Sequence, residues 1–224
     1  MQAVILAAGK GLRLRPFTDK HPKPLIDISG QPLLEHTLAS LPDQITEVII
    51  VIGYLGEQIE EHFGNEWKGK TIRYVTQTEL LGTGDALLRA KNLLDRQFLV
   101  INGDDLYTKF DLEKMVQNPN SMLVWSSQQT STYGIVKNEN GHFAGFDNSS
   151  TLINCGAYFL DLNFFEFPLV SVPVPNGVEY SLPHTLATIA NEIPVTLVEA
   201  TRWLPVGTPE QLKFANDYFT RKPF

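Results

Sequence analysis

Several features that are common in proteins are scarce in this sequence of 224 residues. A single cysteine, Cys155, excludes an intramolecular disulfide and fits a reducing compartment. No apolar run approaches the ~18 consecutive residues of a membrane-spanning helix, and the first apolar run is too short for a signal peptide and has no cationic head. We therefore expect a cytoplasmic protein that does not bind membranes.

Residues suited to a histidine metal centre or to general binding of polyanions are also scarce. The five histidines form no His-x-x-His or His-x₃-His pair, so we expect structural or surface roles for them. The net charge of −7 argues against nucleic acid as a partner. No internal repeat or low-complexity tail is present, and the length suits one domain, residues 1–224.

The first 25 residues carry the strongest functional signal. An apolar run, Ala3 to Leu6, leads into the glycine-lined segment 7–11, and the cationic residues Arg13, Arg15 and Lys23 follow. Glycines let backbone N–H groups approach an anion, and arginine and lysine neutralise phosphate oxygens. The alternative is a basic surface turn. We favour a polyphosphate site, with Arg13 and Lys23 as its first candidates.

Two common phosphate-binding motifs do not fit this loop. A dinucleotide fingerprint that begins at Gly9 and Gly11 requires a third glycine where the sequence has Leu14. A Walker A loop requires Gly-Lys followed by Ser or Thr, whereas this loop continues from Lys10 to Gly11. Both a Rossmann dehydrogenase and a P-loop ATPase are therefore disfavoured.

Short β-branched runs alternate with helical patterns through the first half of the chain. The alternation predicts an α/β fold, with a Rossmann-like, mostly parallel sheet, helices on both faces, and ligands beyond the carboxyl ends of the strands. The cationic loop, Gln77 and Asp104 each follow a predicted strand, so we expect them at one edge of the sheet. The predicted strands are Ala3–Leu6, Glu47–Ile52, Ile72–Val75 and Phe98–Ile101, and the predicted helices are Pro32–Leu41, Leu55–Phe63 and Gly84–Leu94.

From about Ser121 the runs become shorter and predict a small mixed β region. Segment 164–178 is rich in Phe, Pro and Val and is predicted to be a loop over the core. Thr208 is predicted to be the N-cap of the last helix. The predicted strands are Met122–Ser126, Ile135–Lys137, Phe143–Phe146, Ile153–Leu160 and 195–199, and the predicted helices are 182–191 and 209–219.

An acidic pair, Asp104 and Asp105, follows an apolar strand and Gly103. Charge at such a place is costly without a cation, so we predict that Asp104 binds a metal ion. If both residues continued the strand, their side chains would point to opposite faces. A role for Asp105 on the same ion therefore requires a turn after Gly103 and stays open.

Motifs along nearly the whole chain resemble one family in their order. The first is Leu6-Ala7-Ala8-Gly9-Lys10-Gly11-Leu12-Arg13-Leu14-Arg15-Pro16-Phe17-Thr18 with Pro22-Lys23-Pro24-Leu25. The others are Gln77 with Leu81-Gly82-Thr83-Gly84-Asp85-Ala86, Asn102-Gly103-Asp104, Tyr133-Gly134-Ile135-Val136, Asn154-Cys155-Gly156, Glu179-Tyr180 and Trp203-x-x-Val206-Gly207-Thr208-Pro209-Glu210. Together they resemble the sugar-1-phosphate nucleotidyltransferases, whose fold is similar to that of A-type glycosyltransferases.

This resemblance implies roles for individual residues. Arg13 and Lys23 would contact the triphosphate and the attacking sugar phosphate, and Asp104 would hold Mg²⁺, so these three form the implied catalytic set. The residues implied for the nucleotide are Leu6, Ala8, Gly9, Gly11, Gln77, Gly82 and Thr83. Those implied for the sugar are Asn102, Gly134, Asn154 and Glu179.

Two positions depart from the family pattern. Two residues after its Trp the family usually has an aspartate that binds the metal, but this chain has Pro205, which has no ligand atom in its side chain. After Glu179-Tyr180 the family usually continues with Leu-Thr-Asp, whereas this chain has Ser181-Leu182-Pro183. The metal site and the sugar site are therefore expected to differ from those of typical relatives.

The expected activity is transfer of a nucleotidyl group from an NTP to a sugar-1-phosphate, with 1–120 as the nucleotide half and 121–224 as the sugar half. UTP or dTTP is favoured because the amide of Gln77 is able to pair with a uracil-like edge. The alternatives are another NTP, a phospho-alcohol acceptor, or a relative without catalysis that binds a nucleotide or sugar nucleotide. The expected partners are the two small substrates, with a homo-oligomer left open.

Overall fold

A computed structural model describes residues 1–127, 134–147, 150–175 and 177–221. The strands are β1 (Gln2–Leu6), β2 (Asp27–Ile28), β3 (Gln31–Pro32), β4 (Glu47–Ile52), β5 (Glu66–Trp67), β6 (Lys70–Thr76), β7 (Gln97–Asn102), β8 (Asp105–Tyr107), β9 (Ser121–Ser126), β10 (Val136–Glu139), β11 (His142–Phe146), β12 (Leu152–Asp161), β13 (Ser171–Val174), β14 (Gly177–Tyr180), β15 (Thr196–Glu199) and β16 (Trp203–Pro205). The helices are α1 (Leu33–Ala39), α2 (Gly56–Phe63), α3 (Thr83–Ala90), α4 (Lys109–Met115), α5 (Leu182–Ile189) and α6 (Pro209–Arg221).

One large sheet organises the molecule, with the strand order β10-β11-β15-β9-β12-β7-β1-β4-β6-β5. Strands β7, β1, β4 and β6 form a parallel block. Beyond β7 the sheet becomes mixed, because β12 pairs antiparallel with both β7 and β9. The predicted α/β class, with its parallel block and its mixed region, is confirmed.

The sheet separates two hydrophobic clusters, as expected from the period of two along a strand. In β1, Ile5 packs in one cluster and Val4 in the other. Helices α1, α2 and α4 contribute to the first cluster, and α3 and α5 to the second. Strands β1, β4 and β7 are covered on both faces and bury nearly all of their side chains, which explains their continuous apolar runs.

A third, smaller cluster fixes the elements around the carboxyl ends of the parallel strands. Leu14 after β1, Leu106 in β8, Val206 after β16 and Leu212 in α6 are all buried together. These residues come from distant parts of the sequence, so their packing holds the cationic loop against the β8–β16 pair. Thr208 Oγ1 accepts a hydrogen bond from Gln211 N (3.3 Å), which confirms the predicted N-cap of α6.

Two predictions about local structure were wrong. Segment 164–178 is not a loop: it contains part of a 3₁₀ turn, Leu162–Glu166, and then β13, which pairs with β14 in a hairpin. The helix predicted over Gly84–Leu94 ends at Ala90 and continues as a 3₁₀ turn, Lys91–Leu93. Local periodicity missed α4, of seven residues, and the β8–β16 pair, of three residues each, because such short elements carry too little pattern.

Segment 64–71 matches the Walker A pattern in sequence, which the sequence reasoning did not recognise. The structure gives it another role. It connects α2 to β6 through the β5–β6 hairpin and does not lead from a strand into a helix. The ammonium group of Lys70 donates to the carbonyls of Pro42 (3.3 Å) and Ile45 (2.6 Å), so this lysine fastens a loop. The exclusion of a P-loop ATPase therefore stands on geometry. Among the described residues, no helix is long and apolar enough to cross a membrane.

Candidate active site

The carboxyl ends of the parallel block meet in one cleft. Leu6, the last residue of β1, lies beside Asn102, the last residue of β7, and Ile52 of β4 pairs with Thr76 of β6. A cavity of about 640 Å³ opens there, and we call it the large cavity. Residues of the cationic loop, Gln77, Gly82, Asp104 and Glu179 line it together. The sequence-based expectation that the three polar motifs share one edge is confirmed.

The loop after β1 presents its backbone to the large cavity. Gly11 has a left-handed conformation (φ 62°) and begins the 3₁₀ turn that carries Arg13. A side chain there would also meet the methyl group of Thr18 at 2.9 Å, so only glycine fits. In the parts of the chain that the structure describes, no acceptor reaches the N–H groups of residues 8–11. A row of such donors is suited to an anion.

Arg13 lies where the large cavity meets a smaller one. Its guanidinium Nη2 would be 3.0 Å from a Cβ built on Gly207, so the missing side chain of this glycine leaves room for the arginine. Gly207 in turn donates its N–H to Gln211 Oε1 (2.8 Å) at the start of α6. The exposed guanidinium therefore lies beside both cavities, next to the β16–α6 connection.

Lys23 and Asp104 form the closest charged contact of the site. Lys23 follows Pro22 in a 3₁₀ turn, and its ammonium group donates to Asp104 Oδ2 at 2.6 Å. The residue is 6% exposed, whereas the Asp104 side chain is 42% exposed. The lysine is thus held in place by the protein, and the carboxylate faces the cleft. A phosphate entering the cleft meets a fixed positive charge.

The chain turns directly after β7, so Asp104 and Asp105 do not continue that strand. Asp105 begins β8, opposite Pro205 of β16. Its side chain turns inward, where it accepts hydrogen bonds from Asn102 Nδ2 (3.3 Å) and Tyr107 Oη (3.4 Å). Burial and then the charge of Asp104 raise the pKa of Asp105 well above its usual range. The two carboxyl groups therefore have different environments.

Segment 77–85 closes the far side of the large cavity. Gln77 follows β6, and Gly82 caps α3 with φ 93°. A Cβ on Gly82 would lie 2.6 Å from the carbonyl oxygen of Tyr180, and Tyr180 N donates to Leu81 O (2.7 Å). Thr83 Oγ1 accepts from Leu182 N (3.1 Å). The segment is therefore fixed against β14 and the start of α5.

A second cavity of about 230 Å³ adjoins the first, and we call it the small cavity. Gly134, Asn154, Asn102 and Pro205 line it. Asn154 donates through Nδ2 to Tyr158 Oη (2.7 Å) and accepts from Gly156 N through Oδ1 (3.0 Å), so its amide has a fixed orientation. Three of the four residues predicted for the sugar therefore lie together. Glu179 lies apart from them, in the large cavity beside Gly82.

Gly156 supports this arrangement, and substitution by alanine is expected to disrupt it. Its φ is 69°, and a Cβ there would lie 2.0 Å from Asn102 Nδ2. Gly141 has φ 86° with open space around it, so Gly141→Ala tests backbone strain alone. We expect Gly141→Ala to lower the free energy of unfolding by about 1 kcal/mol and Gly156→Ala by about 3 kcal/mol. Urea unfolding measures both; equal losses would mean that Asn102 moves aside freely.

Sequence reasoning left several residues of this region without a role. Asp85, Tyr107 and Tyr158 are buried polar groups with hydrogen bonds to predicted site residues or their neighbours. The available signals were the place of Asp85 in the motif at residues 81–86 and, for Tyr158, a polar group within an apolar run. Tyr133 lies outside the described residues. His184, which follows Glu179 in the sequence, hydrogen-bonds Ser181 Oγ (2.8 Å) and lines neither cavity.

The molecule thus belongs to the class of doubly wound α/β proteins with a ligand cleft at the carboxyl ends of parallel strands. More specifically, the chain belongs to the nucleotidyl transferase family, which matches it over residues 2–222. The resemblance inferred from the sequence motifs is confirmed. The roles of the individual site residues stay predictions.

Individual relatives agree with this assignment. The bifunctional protein GlmU of Methanocaldococcus jannaschii is 33% identical over an alignment of 229 positions that covers 99% of this chain and 55% of that protein. The chain thus spans about half the length of such relatives. A D-glycero-alpha-D-manno-heptose 1-phosphate guanylyltransferase of Aneurinibacillus thermoaerophilus is 33% identical over 178 residues, 74% of this chain and 77% of that protein. A solved UDP-glucose pyrophosphorylase from Acinetobacter baumanii has a TM-score of 0.85 at 20% identity, over 97% of this chain and 92% of that one, and supports the fold.

Proposed function

We propose that the chain transfers a nucleotidyl group from a nucleoside triphosphate, with UTP or dTTP favoured, to a sugar-1-phosphate. An oxygen of the sugar phosphate attacks the α-phosphorus, the bond between the α- and β-phosphates breaks, and pyrophosphate leaves with the electron pair. The observation that carries the proposal is the Lys23–Asp104 pair at the mouth of a cleft whose loop has unpaired N–H donors. Fixed charge and alignment supply most of the catalysis in such transfers.

The two cavities suggest how the substrates divide between the halves of the chain. The triphosphate occupies the loop at Leu6, Ala8, Gly9 and Gly11, and the base lies against Gln77, Gly82 and Thr83. The sugar occupies the small cavity near Asn102, Gly134 and Asn154. Arg13 lines both cavities and is placed to contact both phosphates. In this arrangement 1–120 is the nucleotide half and 121–224 the sugar half. Glu179 belongs to the second half but lies beside Gly82, in the segment 77–85 proposed for the base.

The donor atoms of the cleft fit one weakly held Mg²⁺. In the described ranges, no group of three His, Cys, Asp or Glu side chains forms a metal site, and Pro205 supplies no ligand. Asp104 offers an accessible carboxylate, and Mg²⁺ on nucleotides is commonly held by one or two carboxylates together with phosphates and water. When bound at Asp104, Mg²⁺ would neutralise the charge of the phosphates. Arg13 and Lys23 orient those phosphates whether or not the ion is present.

A screen for pyrophosphate release tests the proposal. The protein is mixed with Mg²⁺, one nucleotide (UTP, dTTP, GTP, CTP or ATP) and one of a panel of hexose-1-phosphates, with phosphocholine as the alternative acceptor. We expect turnover with UTP or dTTP and at least one sugar phosphate. The guanylyltransferase among the relatives makes GTP the main competing nucleotide. Nucleotide binding without turnover of any pair would support a relative that binds but does not catalyse, as Pro205 suggests.

A further inference from the structure

The side-chain amide of Gln77 is locked in one orientation. Its Nε2 donates to Gly82 O (3.0 Å) and to Asp85 Oδ2 (2.8 Å), which uses both of its hydrogens. A backbone carbonyl and a carboxylate only accept hydrogen bonds, so the atom between them is the NH₂ group and not the carbonyl oxygen. The residue is 4% exposed and lines the large cavity. The amide oxygen Oε1 is therefore the polar atom that it offers to a ligand.

Asp85 is itself held by Arg89, one turn further along α3. Arg89 Nη2 lies 3.0 Å from Asp85 Oδ1, and its Nε lies 3.4 Å from Oδ2. Asp85 is 5% exposed and sits in the first turn of the helix, where negative charge is favourable. A salt bridge that only stabilised the helix would need no buried glutamine beside it. Instead, Arg89 fixes Asp85, and Asp85 in turn fixes the orientation of the Gln77 amide at the cavity.

The cavity thus presents an acceptor next to a donor. No hydrogen bond within the described segments reaches Gln77 Oε1, and none uses the N–H of Gly82, which lines the same cavity. This pattern complements a base in which a ring N–H adjoins a carbonyl, as in uracil, thymine and guanine. Cytosine and adenine complement the same pair only through their amino group and ring nitrogen, which shifts the base along its edge; in the position of uracil their ring nitrogen would face Oε1 lone pair to lone pair. Two acceptors without a hydrogen between them are costly in a buried site.

We propose that Asp85 is a positioning residue for the base: together with the carbonyl of Gly82 it holds Gln77 as an acceptor, and so favours bases with a ring N–H beside a carbonyl. This inference rests on the proposed function, since it assumes that the base lies at Gln77. It deepens that function by naming what rejects CTP and ATP. UTP and CTP have the same size, so a comparison of these two isolates the hydrogen-bonding edge from the volume of the cavity.

Asp85→Asn tests the inference. The new amide donates as well as accepts, so Gly82 O alone still requires the NH₂ group of Gln77, and the rotated amide that presents NH₂ to cytosine becomes less costly. We expect the wild-type protein to bind UTP more tightly than CTP. In the variant the ratio of the two dissociation constants is expected to fall about tenfold, which corresponds to one hydrogen bond. Asp85→Ala removes the carboxylate without adding a donor, so only Gly82 O still holds the Gln77 amide, and the preference is expected to fall by less than in Asp85→Asn. Asp95→Asn, at an exposed aspartate beyond α3, is the matched control and keeps the wild-type ratio.

Two measurements separate this inference from the proposed function. Dissociation constants for UTP and CTP are measured by calorimetry without any sugar phosphate, and kcat/KM for both is measured with it. A purely structural role for Asp85 would weaken both nucleotides alike, leave their ratio unchanged, and overturn the inference while activity persists. A wild-type protein that does not favour UTP over CTP in the titration also overturns it. Discrimination in binding without any turnover would support the inference and contradict the proposed function.

Discussion

Lys23→Ala is expected to lower kcat for pyrophosphate release by about 10²- to 10³-fold. This is the typical effect of removing one preorganised group that stabilises developing charge in the transition state. Lys23 is buried and its ammonium group lies 2.6 Å from Asp104, so the protein fixes this charge before the substrates arrive. The variant loses that charge and also leaves Asp104 without its partner. Steady-state kinetics with the best nucleotide and sugar phosphate from the screen measure the effect.

Lys20→Ala is the matched control for this substitution. Lys20 is an exposed lysine of the same connection between β1 and β2, and its hydrogen bond within the described part of the chain uses its backbone carbonyl, which accepts from Gln58 Nε2 (3.1 Å). Its loss is expected to change kcat less than twofold. Lys23→Arg keeps the charge but replaces a compact ammonium group by a planar fork, so partial activity is expected. Full activity of Lys23→Ala, with unfolding and nucleotide binding unchanged, would show that Lys23 has no role in catalysis.

Asp104→Asn is expected to lower kcat/KM by about 100-fold and to raise the Mg²⁺ concentration needed for half of the remaining activity. The substitution keeps the size of the side chain, so the change reports on charge. A neutral amide binds Mg²⁺ less well than a carboxylate and leaves the buried ammonium group of Lys23 without its counter-charge. Activity measured against Mg²⁺ concentration separates these two effects, because saturating Mg²⁺ restores only the part due to the metal.

The control for this variant is Asp217→Asn, at an exposed aspartate on α6. It removes the same charge from the protein and is expected to leave both kcat/KM and the Mg²⁺ dependence unchanged. If Asp104→Asn behaves like Asp217→Asn, Asp104 does not hold the ion. Asp105, which faces inward toward Asn102 and Tyr107, would then become the first carboxylate to test.

Much of the fold follows from local sequence pattern. The strands of the parallel block are β-branched runs such as Glu47–Ile52, which is buried almost throughout. Such a run is predictable as a strand without knowing which strands lie beside it. Glycines and prolines mark where these runs end, and the carboxyl ends of parallel strands necessarily share an edge. The convergence of the cationic loop, Gln77 and Asp104 was predictable for that reason.

The remaining parts depend on contacts between distant residues. Strand β8 exists because Asp105 pairs with Pro205, and the hairpin of β13 and β14 forms over a segment whose Phe and Pro content indicated a loop. The lock on Gln77 needs a helix that places Asp85 within 2.8 Å of its amide. Sequence spacing does not show where the Asp85 carboxylate points, so its contact with Gln77 became visible only in the structure.

The contact between Gly82 and Tyr180 constrains how relatives of this protein can be recombined. The backbone of the hairpin leaves no room for a side chain at position 82, and a backbone hydrogen bond from Tyr180 holds Leu81. A chimera that takes segment 77–85 from a relative but keeps this chain's β13–β14 hairpin would combine two surfaces that do not fit each other. Exchange of the two as a single module preserves their fit, although they lie about 100 positions apart in the chain.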